Sequence, residues 1–187
     1  MTHFTTYTAE NAPEASKAAL EDVKKNFGFI PNLSGNMAES PELLAAYGAL
    51  WDLFAKTTFS ATEQQLVYLT VSFENECRYC MAGHTTLSKM FKIDEAVINA
   101  VRAGQAIPDA KLEALHSFTT KIVRNRGWVS DQDTDAFLAA GYTRRNALEV
   151  VLGVATKTIS NYTNHIAHTQ NDGFMAGNEW KKPVAKA

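Results

Sequence analysis

The feature that most constrains the fold is helical punctuation. N-capping residues and glycine stops recur along the chain at helical intervals, and no two segments read as partner strands. Ser40-Pro41-Glu42 sets a cap before a proline at the first helical position. Leu43, Leu44, Tyr47, Leu50, Trp51 and Phe54 follow at three-four spacing. Ser60-Ala61-Thr62-Glu63 reads as a capping box that opens Leu66 to Phe73. Val67, Tyr68 and Val71 would suit a buried strand there, but the cap, the length and the missing partner strand predict a helix. Pro13 to Asn26 carries Ala18, Ala19, Leu20 and Val23 among charges, with Gly28 just past its end. Further helices are expected at 79–91, 94–103, 109–126, 130–140 and 143–168. Ser130 and Thr143 act as starts, and Gly104, Gly127 and Gly141 as stops. The prediction is one all-α domain over 1–187, of about eight helices, with a core over 27–168 and a frayed or partner-dependent tail over 170–187.

Composition removes several function classes. A chain of 187 residues with 45% hydrophobic residues supports one globular core. Eighteen Lys and Arg against twenty Asp and Glu leave no basic face for nucleic acid. No apolar run reaches the ~18–20 residues of a membrane span. The start, Met1-Thr2-His3-Phe4-Thr5-Thr6, lacks the basic-then-apolar pattern of a secretory leader, so a cytoplasmic location is expected. Two cysteines three residues apart cannot form a disulfide framework.

Those cysteines are the chemical centre. In Cys77-Arg78-Tyr79-Cys80-Met81-Ala82-Gly83-His84, the two thiols and the imidazole stand at i, i+3 and i+7, one face of a helix. The spacing lets the thiols close a disulfide. A helix N-terminus and a nearby imidazole both favour thiolate, which is the nucleophile. Three readings compete with redox chemistry. Both cysteines could be structural. They could bind zinc with His84 and a fourth ligand from His165 or His168, although no second C-x-x-C exists. A thioredoxin-like module would need a βαβ context, which is missing. The remaining histidines carry less: His116 reads as a packed core residue and His3 sits at a terminus. No glycine-rich phosphate loop or Ser/His/Asp constellation occurs.

The stretch Ser60 to His84, with Asn75-Glu76-Cys77-Arg78-Tyr79-Cys80, resembles the carboxymuconolactone decarboxylase-like superfamily. Within it the likeness is to AhpD-like alkylhydroperoxidases of a peroxidase-related branch. Phe27-Gly28-Phe29-Ile30-Pro31-Asn32-Leu33 and Ser160-Asn161-Tyr162-Thr163-Asn164-His165 are similar to that branch too. The resemblance implies an AhpD-like helical bundle, a homo-oligomer (trimer or hexamer), and reduction of a hydroperoxide by the dithiol, regenerated by an external dithiol. No cofactor and no metal are expected. Such proteins carry a glutamate twelve residues before the first motif cysteine, in a proton relay through the histidine. Here that position is Gln65, which can orient an imidazole but cannot take a proton. Glu74, one turn before Cys77 if the helix continues, is the best substitute. Glu63 reads as a cap and Glu76 as a surface charge.

A shift of 84 residues aligns Gln65, Cys77, Cys80 and His84 with Glu149, Asn161, Asn164 and His168. This suggests a degenerate internal repeat whose helix pair packs against the first. Glu149 or His168 would then approach the first site and could supply the missing carboxylate. The candidate catalytic residues are therefore Cys77, Cys80, His84, Gln65 and Glu74. Cys80 is favoured as the attacking thiol because His84 lies one turn along, and Cys77 would resolve. The rivals are a carboxymuconolactone decarboxylase-type lyase, against which the dithiol argues, and a non-enzymatic binding protein with a structural or zinc-binding cysteine pair.

Tyr47, Trp51, Phe54 and Phe59 crowd one segment with more large side chains than a small monomer readily buries, which predicts self-association. Light scattering at micromolar concentration should give a multiple of the 20.6 kDa chain mass; a monomer would contradict the expectation.

Overall fold

The computed structural model describes residues 4–183. His3 and the tail residues 184–187 lie outside the described residues. The elements in chain order are α1 (Glu14–Phe27), α2 (Asn32–Met37), α3 (Pro41–Ala55), α4 (Ala61–Glu74), α5 (Arg78–Met90), α6 (Glu95–Ala103), α7 (Ala110–Arg124), α8 (Asp131–Ala139) and α9 (Arg144–Ala167). A 3-10 turn follows at Gly173–Met175. No strand occurs among the described residues, and none of their helices is long and apolar enough to cross a membrane.

The caps form as the sequence requires. Ser60 and Glu63 exchange both hydrogen bonds of a capping box at α4, and Ser130 and Thr143 do the same for α8 and α9. Gly28 and Gly104 end α1 and α6 in the left-handed region that a side chain would disfavour. The helix not anticipated is α2. Its six residues are too few for a periodicity to show, and five of them, Leu33 to Met37, are buried.

α4 is the central helix. Gln65 to Phe73 are buried without interruption, because α5, α6, α7 and α9 pack around it. That encirclement explains why the segment lacks an amphipathic pattern and resembles a buried strand. α9 comes close at Gly153, where an added Cβ would lie 2.7 Å from both the Phe54 ring and Val67. One core gathers Phe54, Phe59, Leu66, Leu69, Phe118 and Phe137; a second gathers Leu20, Met37, Leu44, Tyr79 and both cysteines.

Two expectations need correction. Residues 170–183 are docked rather than frayed. Tyr79 donates to Asp172, Trp180 donates through Nε1 to the Arg102 carbonyl at 2.8 Å, and Arg102 donates to the carbonyls of Asn178 and Glu179. The aromatic crowding at 47–59 is also satisfied within the chain. Phe54 and Phe59 are core residues, while Tyr47 and Trp51 are half-buried beside an internal cavity. Exposed apolar side chains are scattered, Trp128, Met90, Phe91 and Leu53 among them, but α9 carries several along one face, where Leu148, Val151, Tyr162 and Ile166 point outward, Leu148 at 73% and Ile166 at 63% exposure.

Candidate functional site

The motif sits at a chain reversal. α4 ends at Glu74, Glu76 takes a left-handed φ of 57°, and Cys77 becomes the extended N-cap of α5. The Cys77 carbonyl accepts from the Met81 amide at 2.9 Å. Cys80 lies in the first turn and His84 one turn later; all three are buried. Both cysteines are free thiols. Cys80 lines a cavity of about 520 Å³, whereas Cys77 lies behind it.

The missed residue is Lys157. It is 1% exposed on α9, with its ammonium over the Tyr68 ring and 2.8 Å from His84 Nε2. Among the described residues it has no carboxylate partner. An ammonium only donates, so Nε2 must accept, and the imidazole proton belongs on Nδ1, where Gln65 Oε1 accepts it at 2.9 Å. The ring is therefore neutral. Burial, then the Lys157 charge, hold its pKa well below the ordinary 6.5.

The sulfurs are distinguished by their surroundings. Burial pushes the Cys80 thiol up, but it is outweighed by the hydrogen bond from Cys77, the Lys157 charge, and hydrogen bonds with Ser160 and Lys157. The net result is a thiol well below its ordinary value. Cys77 is raised, first because its S–H donates to Cys80 and then by burial. Asn164 adds a second donor, its Nδ2 lying 3.2 Å from Cys80 Sγ and 3.7 Å from Cys77 Sγ. Its Oδ1 is buried without a partner. The arrangement can hold one thiolate facing a cavity, one protonated thiol behind it, and one ammonium beside both.

Gln65 and His84 thus join the cysteines, but Glu74 does not. The reversal at Glu76 carries Glu74 away, and it takes a two-pronged bond from Arg124, at 2.7 and 3.0 Å. The second copy also differs from expectation. It is a single unbroken helix, so Glu149 lies far up α9, held by Thr58, Arg145 and Asn146. His168 is exposed at the helix end, as is His165. Asn161 and Asn164 do reach the motif, Asn161 through Asn75 at 2.9 Å. Among the described residues no three His, Cys, Asp or Glu side chains gather as metal ligands. His116 shares a 2.8 Å hydrogen bond with Thr70, in keeping with a packed role. A signal for Lys157 was present: Lys157, Ser160, Asn161 and Asn164 repeat at helical spacing opposite Leu148, Val151, Tyr162 and Ile166. The polar face is the one turned inward.

Residues 41–120 match the carboxymuconolactone decarboxylase family. The comparison with curated protein sequences finds no match. Among solved structures, the fold is similar to that of an AhpD-core, peroxidase-related protein from Ralstonia eutropha JMP134. The two share 19% identity over 97% of this chain and 100% of the other, with a TM-score of 0.80. A peroxidase-related protein from Silicibacter sp. TM1040 shares 17% identity over 95% and 96% of the two chains, with a TM-score of 0.77. The debrominase Bmp8, solved as a cysteine-to-alanine form with 2,3,4-tribromopyrrole, shares 17% identity over 95% and 96%, with a TM-score of 0.76. The matched segment carries the dithiol and His84, and the fold of the chain is AhpD-like.

The neutral His84 gives a pH prediction. Below about pH 6.5 the unfolded chain binds a proton that the folded ring declines, so stability falls as pH drops from that value toward the lowered folded pKa. Melting temperatures measured from pH 7.5 down to 5 should fall, and His84→Gln should flatten that slope. An identical slope in the variant would show that His84 is not buried neutral.

Proposed function

We propose that the protein is a thiol-dependent peroxidase acting on hydroperoxides through Cys77 and Cys80. The observation that carries this reading is the asymmetric dithiol, with a low-pKa sulfur facing the cavity and a protonated sulfur behind it. The Cys80 thiolate attacks the terminal oxygen of the hydroperoxide and the O–O bond breaks. Cys80 becomes a sulfenic acid, and the leaving alkoxide takes a proton from Lys157 to give an alcohol. Cys77 then passes its proton to Lys157 and attacks the Cys80 sulfur. The disulfide forms, and the departing hydroxide takes the proton and leaves as water. His84 holds the Lys157 ammonium through Nε2, and Gln65 holds His84. An external dithiol restores the pair by exchange. The reading includes a cytoplasmic location and a homo-oligomer, trimeric or hexameric. The outward apolar face of α9 supports self-association.

A second reading is favoured by the aromatic side chains in the cavity walls and the fold shared with a debrominase. The same dithiol could replace an aryl halogen by hydrogen, with disulfide and hydrogen halide as the other products. Halide release from a brominated arene, measured beside peroxide consumption, separates the two reactions.

Mass spectrometry after mild peroxide should show loss of two hydrogens confined to the peptide holding Cys77 and Cys80. Cys80→Ser should abolish turnover, and Cys77→Ser should stop after one attack with a sulfenic acid on Cys80. Sulfenic acid on Cys77 would reverse the roles. A disulfide formed mainly between chains would overturn the reading.

A further inference from the structure

The cavity is built in two parts. Its floor is buried and holds Cys80, His84 and Lys157. Its walls are mainly apolar, aliphatic side chains such as Leu44 and Leu87 mixed with aromatic ones. The Trp51 ring lies 6.0 Å from His84, nearly parallel to it, and 5.3 Å from Tyr68. Phe27 meets Trp51 edge-on at 6.2 Å, and Phe29 packs against Phe174 at 5.4 Å. Such walls take a flat or bulky apolar group and offer little to a small polar molecule.

The mouth carries a charge pattern of its own. Asp22 on α1 and Asp52 on α3 both line the cavity, and both are exposed. Among the described residues neither has an ion-pair partner. Lys157 is the one cation in the lining, and it is committed to His84 and Cys80 at the floor. The neighbouring Lys24 and Lys25 do not line the cavity, and Lys24 faces Glu10. A ligand therefore passes two uncompensated carboxylates before it reaches the thiolate. Clefts with low-dielectric walls and one sign of charge concentrate or repel ligands accordingly.

We infer that the cavity selects uncharged molecules with a flat aromatic or bulky apolar group, and that Asp22 and Asp52 turn away anionic ones. Resting on the peroxidase reading above, this makes the substrates neutral aryl or bulky alkyl hydroperoxides rather than hydroperoxides bearing a carboxylate.

Binding can be tested without turnover. The probes are dimethylphenylcarbinol, the unreactive alcohol left by a neutral aryl hydroperoxide, and its para-carboxylate, each titrated calorimetrically into the reduced protein. At low ionic strength the carboxylate should bind about fivefold more weakly or worse, and added salt should narrow the gap. Asp22→Asn with Asp52→Asn should close the gap and leave the neutral carbinol unchanged. Equal binding of the two probes to the wild-type protein, a gap that survives in the double variant, or no binding of the carbinol would each overturn the inference. If the carbinol and its carboxylate are discriminated as expected but the neutral hydroperoxide is not consumed, the selectivity holds and the peroxidase reading fails.

Discussion

The site depends on one buried cation. Lys157 is almost wholly withdrawn from water and lacks a carboxylate partner among the described residues. An uncompensated ammonium in that position would cost several kcal/mol, so the fold must supply negative charge or strong acceptors. The Cys80 thiolate and the lone pair of His84 Nε2 meet that need. The same pairing holds His84 neutral and, after the hydrogen bond from Cys77, helps to depress Cys80. With a cation already on one side of the imidazole, a neutral amide on the other keeps the ring uncharged, and Gln65 fixes its tautomer through Nδ1.

α9 shows what this arrangement imposes on the fold. Its polar residues Lys157, Ser160, Asn161 and Asn164 face the dithiol, and Leu148, Val151, Tyr162 and Ile166 are left facing outward, while Val150 packs into the core. Over Lys157 to Asn164 the polar side of the helix is the one turned inward, which brings donors and a charge to two sulfurs. The close approach at Gly153 and the break at Glu76 complete the geometry. The first sets α9 against α3 and α4, and the second turns Cys77 into a helix cap whose side chain lies beside Cys80.

Most of the architecture was legible because caps and glycine stops are local signals, and local signals set helix ends. α2 was not, since six residues give no periodicity, and the docked tail was not, since its contacts with Arg102 and Tyr79 are remote in sequence. The dithiol and His84 were legible from spacing alone. Glu74 was misjudged by assuming that α4 runs into α5, and a single left-handed residue removes it from the site. Lys157 went unread because a lysine in a long helix ordinarily marks solvent, and only the inward turn of the polar face reveals it. The repeat led toward Asn161 and Asn164, yet also suggested a paired helix that does not exist.

The most direct test is a pH titration of thiolate ultraviolet absorbance in Cys77→Ser protein, with and without Lys157→Met. Loss of the buried ammonium should move the transition of the single remaining thiol upward by at least about one unit. A transition that stays in place when Lys157 is replaced would contradict the claim that this cation holds Cys80 as a thiolate.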